Sequence, residues 1–208
     1  MNNYSNIMVI SGDVYLIIKS MNAIGWKAIR ESSINRLLYI SSVVYSFRFP
    51  ERKNIFEDNY HFAISMSGPE EILVNNALTN LLSNEIIERG TEGYILLEQE
   101  KDSDYESLPL YNEKKEWIDD MAYVIGIYGE EKIYDFVFRD PEYRTSLKSN
   151  SEYTLDISKS NETISFLNSF KEAFEKKLNN DSDKLSNKKY LELYFEYVFG
   201  QILRGESV

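Results

Sequence analysis

The stretch ILVNNALTNLLSNEIIERGTEGYILLEQE, residues 72–100, decides the fold of this chain. Its first part has the apolar spacing of one helix face: Leu73, Ala77, Leu78, Leu81 and Leu82. Ser83-Asn84 ends this helix, and an extended segment over 85–89 follows. A turn with two glycines over 90–93 then leads into a second strand over 94–98. A helix followed by a hairpin is the layout of a winged helix, and a hairpin in another α+β fold is the alternative.

Two helices are expected upstream of this unit. Ser11-Gly12-Asp13 offers N-cap oxygens for a first helix that ends at Gly25. The apolar spacing predicts a second helix from about 32 to 45. A strand is expected over 60–66, and the segment SGPEE over 67–71 predicts a helix start with its proline at the first helical position.

The downstream sequence indicates a helical region. Residues 101–112 are acidic and turn-rich, which predicts a linker. The sequence as a whole therefore predicts a mainly α chain with a small β part, an α+β fold. Its winged-helix-like N-terminal domain spans 1–100, and the helical region over 113–208 contains a C-terminal docking helix over 188–203.

The last predicted helix is apolar around most of its circumference, and a helix of this kind is buried on most sides. Two explanations remain open. The helix lies in the protein's own core, or it anchors a partner chain, for which tyrosine and phenylalanine are well suited. In the second case the partner-binding residues are Tyr190, Tyr194, Phe195, Tyr197, Phe199 and Ile202.

The composition excludes several classes of function. The 208 residues include no cysteine and one histidine, which excludes a thiolate zinc site, a cysteine nucleophile and a multi-histidine metal site. No phosphate-binding loop or catalytic motif is present. His61 stands in a predicted strand, where a structural role is the simplest interpretation. We therefore expect no enzyme activity, no metal and no cofactor.

The charge distribution argues against a nucleic-acid or membrane surface. The net charge is −11, and the helix over 70–84 has no lysine or arginine to neutralise phosphates. Three asparagines on that helix could bond adenine edges: Asn75, Asn76 and Asn80. Weak or indirect DNA contact is instead expected from basic residues nearer the N-terminus: Lys19, Lys27, Arg30 and Arg36. Without a signal peptide or an apolar run near the roughly 20 residues of a membrane span, the expected location is the cytoplasm.

Four segments carry a resemblance to a known family. They are NRLLYISSVVYSF at 35–47, FEDNYHFAISMSGPEE at 56–71, ALTNLLSNEIIE at 77–88 and YGEEKIYDFVFRDPEYR at 128–144. Together they resemble the middle component of ABC-three-component systems, including the small accessory subunit of Lamassu-type antiphage defence. The resemblance implies a small non-catalytic winged-helix subunit that bridges an SMC/Rad50-like ABC ATPase and an effector subunit, often a nuclease.

These observations lead to one expected function and one alternative. The expected function is an accessory subunit of a bacterial antiviral defence complex, with the ATPase and effector of the same system as its protein partners. The alternative is a winged-helix transcriptional regulator or antitoxin that binds DNA or a toxin. An adjacent gene for a long coiled-coil ATPase would favour the first.

Overall fold

A computed structural model describes residues 6–97, 103–148, 154–177 and 185–205. The first half contains α1 (Asn6–Ala23), α2 (Glu31–Arg48), β1 (Ala63–Ser65), β2 (Gly68–Glu70), α3 (Ile72–Ser83), β3 (Ile87–Arg89) and β4 (Tyr94–Leu96). The second half contains α4 (Ser103–Glu106), α5 (Tyr111–Ile125), a 3-10 turn (Gly126–Tyr128), α6 (Gly129–Val137), α7 (Pro141–Lys148), α8 (Glu162–Lys177) and α9 (Asn187–Arg204). The described residues are mainly helical with two small antiparallel sheets, which confirms the α+β class.

The central element is α2, which is buried from Ser33 to Phe47 without interruption. Helices from both ends of the chain surround it, including α1, α6, α8 and α9. A helix covered on every side needs small residues where neighbours come close and partners for its polar groups. Ser42 meets both needs, because its hydroxyl donates to the Leu38 carbonyl. The backbone carbonyl of Ser41 accepts from Trp117 Nε1.

The first helix begins earlier than predicted. Ser11, Gly12 and Asp13 lie inside α1 and are buried, so they are not its N-cap. Gly12 is instead a point of close approach, because a Cβ at this position would lie 2.6 Å from the Leu108 side chain. All three residues are explained by tertiary contacts, since Ser11 accepts from Asn80, Gly12 faces Leu108 and Asp13 accepts from Lys114. A small and polar triplet of this kind resembles a helix N-cap in the sequence, which is why the capping prediction failed.

The predicted start of the third helix is also wrong. Pro69 lies in β2, where it pairs with Ile64 of β1 in a short antiparallel hairpin. The helix begins at Ile72, and Glu71 is its N-cap, with one carboxylate oxygen accepting from Leu73 N. The other oxygen of Glu71 accepts from His61 N at 2.6 Å, which fixes the entry to α3.

The predicted hairpin after α3 is present, with Glu88 of β3 opposite Ile95 of β4. A third extended segment adds to it, because Ile29 and Tyr94 exchange two backbone hydrogen bonds of 3.0 and 2.8 Å. Gly93 permits this pairing, since its φ is +145° and a Cβ there would lie 2.4 Å from the Ile29 oxygen.

The described part of the predicted acidic linker packs on the core. Tyr105, Leu108 and Tyr111 are buried, and the Tyr105 ring stacks on Tyr15 of α1 with centroids 5.1 Å apart. These three buried side chains therefore hold the segment on the core, although its composition is acidic. Residues 101 and 102 of the predicted linker lie outside the described residues. The buried residues of the two predicted regions form one contiguous cluster.

Candidate functional site

The outer surface of α3 is an uncharged stripe. The inner face of the helix packs on α1 through Val74, Ala77, Leu78 and Leu81. The exposed side chains on the outer face follow helical spacing, and we call them the α3 stripe: Ile72, Asn75, Asn76, Thr79 and Ser83. None of these five carries a charge, in a chain of which 27% is charged.

Several polar groups of the α3 stripe already have partners within the protein. Thr79 Oγ1 donates to the Asn75 carbonyl at 3.0 Å, and Ser83 Oγ donates to the Thr79 carbonyl at 2.9 Å. The amide of Asn75 reaches Glu31 Oε1 at 3.4 Å. Because these hydroxyls bond back to their own helix, covering the stripe with another surface would leave few donors unsatisfied.

The three asparagines that could hydrogen-bond to adenine edges differ in orientation. Asn80 donates from Nδ2 to Ser11 Oγ of α1 at 3.1 Å, so it is directed towards the protein. Asn75 and Asn76 remain on the exposed stripe. The structure therefore leaves two of the three amides facing outwards, with no basic residue on α3 beside them.

The four basic residues expected to contact DNA do not form one free basic face. Arg36 is buried, and its Nε and Nη2 both donate to the Ser67 carbonyl, at 3.1 and 2.6 Å. Its guanidinium carbon lies 4.8 Å from the centroid of the Tyr134 ring. Burial lowers the pKa of Arg36, because the charged guanidinium loses contact with water. This residue holds the β1–β2 turn against α2, and the prediction that it contacts DNA is corrected.

The other three basic residues differ in their surroundings. Arg30 is exposed and forms an ion pair with Glu130, with Nη1 and Oε2 3.5 Å apart. Lys19 is half-buried, and its ammonium lies 5.6 Å from the centroid of the Tyr15 ring. Lys27 is exposed. An acidic partner thus already offsets the charge of Arg30.

The predicted docking helix α9 is part of the protein's own core. Five of the six residues proposed to bind a partner are buried: Tyr190, Tyr194, Phe195, Phe199 and Ile202. Only Tyr197 is substantially exposed, at 43%. The rings of Phe199 and Tyr128 stack with centroids 3.9 Å apart, and Phe195 lies 5.2 Å from Phe136 of α6. Of the two explanations for this apolar helix, the structure supports self-burial, because α2, α5, α6 and α8 surround it.

A buried ion pair connects α5 to α1. Lys114 Nζ of α5 donates to Asp13 Oδ2 of α1 at 2.7 Å, and Tyr60 donates to the same oxygen at 2.9 Å. The ammonium also lies 5.3 Å from the centroid of the Phe56 ring. Burial raises the pKa of Asp13, because desolvation outweighs the attraction of Lys114 and the two hydrogen bonds. Sequence reasoning missed this pair, although Lys114 stands at helical spacing with the inward-facing Trp117 and Ile118.

The remaining polar residues singled out in the sequence lie apart. His61 is exposed. Asp119 accepts from Ser20 and Lys115, whereas its neighbour Asp120 accepts from Lys188, so the two carboxylates diverge. In the parts of the chain that the structure describes, no group of three or more His, Cys, Asp or Glu side chains is arranged to hold a metal ion. Among the same residues, no helix is both long and apolar enough to cross a membrane.

Comparison of this chain with protein-family models, with curated proteins and with solved structures finds no match. The arrangement of its own residues, above all the α3 stripe, is therefore the basis for a functional proposal.

Proposed function

We propose that this protein is a non-catalytic accessory subunit of a bacterial antiviral defence complex, joining an SMC/Rad50-like ABC ATPase to an effector subunit. The observation that carries the proposal is the uncharged α3 stripe. The resemblance of four sequence segments to the middle component of ABC-three-component systems supplies the identity of the partners. The protein surface that we assign to partner binding is the α3 stripe, not the buried helix α9.

The order of the elements supports a winged-helix-like unit. The chain runs from α1 through the extended residue Ile29 to α2, then through the β1–β2 hairpin to α3 and the β3–β4 hairpin. Ile29 forms one antiparallel bridge to Tyr94 of β4, which ties the segment between α1 and α2 to the hairpin. In such a unit the third helix is presented to the binding partner, and its outer residues decide what that partner is.

The chemistry of the stripe favours a protein partner over DNA. Duplex binding derives most of its sequence-independent affinity from lysine and arginine at phosphates, and α3 has neither. The centre of a protein–protein interface is instead depleted of charged residues. A stripe of five exposed residues without a charge, in a chain with net charge −11, shares this lack of charge with an interface centre.

One residue of the stripe is suited to anchor a partner. Ile72 is 78% exposed at the first turn of α3, so most of its side chain lies in water in the isolated chain. Burying such a side chain in an apolar pocket of a partner contributes about 2 kcal/mol. Thr79 and Ser83 lie further along the same face of α3, and their hydroxyls already bond to the helix backbone, so covering them would cost little desolvation energy.

Co-purification with the products of the adjacent genes tests this proposal. The variant Asn76→Arg with Thr79→Arg places two charges on the stripe without touching buried residues. The matched control is Ser165→Arg with Asn168→Arg, an exposed hydroxyl–asparagine pair with the same spacing on α8. We expect the first variant to lose the ATPase or the effector and the control to retain both. Retention of both partners by the stripe variant, or sequence-specific DNA binding that it abolishes, would contradict the proposal.

A further inference from the structure

A concave site lies where α6 turns into α7, beside α8 and α9. It encloses about 330 Å³, and its lining includes residues of all four helices. The apolar part comes from Phe136, Phe166, Tyr194 and Val198. Natural ligand pockets measure about 300–1,000 Å³ and combine an apolar wall with a few polar groups. We propose that this pocket, which we call the α6–α9 pocket, binds a small organic anion with an aromatic or aliphatic body.

The rim of the pocket is cationic. Arg144 and Lys148 stand four residues apart on the same face of α7, and both are exposed. Arg139, between α6 and α7, also lines the pocket. In the described ranges, neither Arg144 nor Lys148 forms an ion pair with an acidic side chain. Two like charges at this spacing repel each other, and an anion bound between them would relieve the repulsion.

The acidic groups of the pocket do not cancel this charge. Glu162 lines the pocket, and its Oε2 accepts from the Thr145 hydroxyl at 2.8 Å. The other carboxylate is Asp140, which is buried in the wall. Among the described residues that line the rim, Arg144 and Lys148 therefore stand against one exposed carboxylate, in a chain whose net charge is −11. A cleft with one sign of charge and apolar walls concentrates the field that attracts a ligand of the opposite sign.

The wall that carries these cations is held rigidly. Asp140 Oδ1 accepts from Tyr39 at 3.0 Å and from Tyr143 N at 2.9 Å, which caps the first turn of α7. Its Oδ2 accepts from Thr163 of α8. One buried carboxylate thus ties α7 to α2 and α8, so the positions of Arg144 and Lys148 on α7 are fixed before a ligand arrives.

The two halves of the pocket together define the ligand class. A small inorganic anion would satisfy the cations and leave the walls of Phe136 and Tyr194 without a partner. An uncharged apolar molecule would fill the walls and leave the rim charges unpaired. An organic anion with a compact apolar body, carrying a carboxylate, sulfonate or phosphate at one end, satisfies both.

Two fluorescent probes of nearly equal shape test this inference. Anilinonaphthalene sulfonate is an aromatic organic anion, and phenylnaphthylamine is its uncharged counterpart. The test variant is Arg144→Glu with Lys148→Glu, and the control with the same change in net charge is Lys176→Glu with Lys177→Glu, two exposed residues at the far end of α8. Titration of the full chain is followed by the rise in probe fluorescence.

We expect saturable binding of one sulfonate probe per chain. Reversing the two rim charges is expected to weaken it about tenfold, because two attractions become two repulsions in a half-open site. The control variant should bind as the unchanged protein does, and phenylnaphthylamine should bind both equally. Phe166→Ala should weaken both probes. Non-saturable binding of the sulfonate, or an equal affinity in the rim and control variants, would overturn the inference.

Discussion

Lys114 Nζ and Asp13 Oδ2 lie 2.7 Å apart with their side chains only 2% and 3% exposed. The pair connects α5 to α1, and Tyr60 adds a hydrogen bond to the same carboxylate. Desolvating two charges costs about as much as their attraction returns, so such a pair contributes little net stability while both partners are present. Its importance appears when one partner is removed, since the other is then left charged in an apolar core.

Lys114→Met should therefore destabilise the protein strongly. We expect the free energy of unfolding to fall by about 3–5 kcal/mol, because Asp13 is left as a buried unpaired carboxylate. Adding Asp13→Asn should recover much of this loss, since a neutral amide oxygen still accepts from Tyr60. Urea denaturation measures both effects. Lys115→Met, which breaks an exposed pair with Asp119, is the control and should cost less than about 1 kcal/mol. An equal cost for the two lysines would contradict a structural role of the buried pair.

Asp140 should give the stability a characteristic pH dependence. Burial is the main cause that raises the pKa of Asp140 to about 6 from an ordinary value of 3.8. An acid with a raised pKa holds its proton more tightly in the folded chain, so stability is lost as the pH rises from about 4 through about 6.

Asp140→Asn removes this dependence and keeps an oxygen for Tyr39 and Tyr143 N. As the pH rises from 4 to 7, the free energy of unfolding of the variant should increase by about 2–3 kcal/mol relative to that of the unchanged protein. Thermal or urea unfolding at several pH values measures the difference. Asp58→Asn, at a surface carboxylate that is 71% exposed, should show no comparable gain. Parallel pH profiles for Asp140→Asn and the unchanged protein would refute the assignment.

Substitutions of the basic residues distinguish a structural role of Arg36 from a role in DNA binding. Arg36→Met removes two hydrogen bonds to the Ser67 carbonyl and should lower the free energy of unfolding by about 1–3 kcal/mol. Lys27→Glu with Arg30→Glu should change stability little and should reduce whatever salt-sensitive DNA binding the protein has. Denaturation and filter binding at two salt concentrations distinguish these effects. A stable Arg36→Met variant with weakened DNA binding would restore Arg36 to a DNA-contacting role.

Charges placed in α9 should unfold the isolated protein. Tyr194→Asp with Phe199→Asp puts two carboxylates into the core and should abolish cooperative thermal unfolding, because neither has a buried partner. Tyr197→Asp on the same helix is the control, since that ring is 43% exposed, and its melting temperature should fall by only a few degrees. A double variant that keeps the melting temperature of the unchanged protein would show that another chain, not this one, covers α9.

Local patterns predicted some elements closely. The last helix was expected over 188–203 and is observed at Asn187–Arg204, and the hairpin after α3 lies within its expected bounds. These elements have clear helical or alternating spacing and strong turn residues, so their own sequences decide them. The apolar circumference of α9 indicated burial correctly but did not indicate which surface covers it.

Tertiary contacts explain what local patterns missed. Pro69 is a good first helical residue, yet pairing with Ile64 places it in a strand. Asp140 caps α7, and its partners Tyr39 and Thr163 are distant in the sequence. The α6–α9 pocket is likewise assembled from four helices, so no single segment indicates it.

The central claim is that the α3 stripe contacts the partner proteins, and site-specific photocrosslinking tests it most directly. A photoreactive phenylalanine analogue replaces Asn76 on the stripe, and in a matched control it replaces Asn168 on α8; both positions are exposed. After irradiation of the co-expressed complex, we predict a covalent adduct with the ATPase or the effector from position 76 and none from position 168. A complex that co-purifies intact while position 76 gives no adduct, or no more than position 168, would contradict the claim.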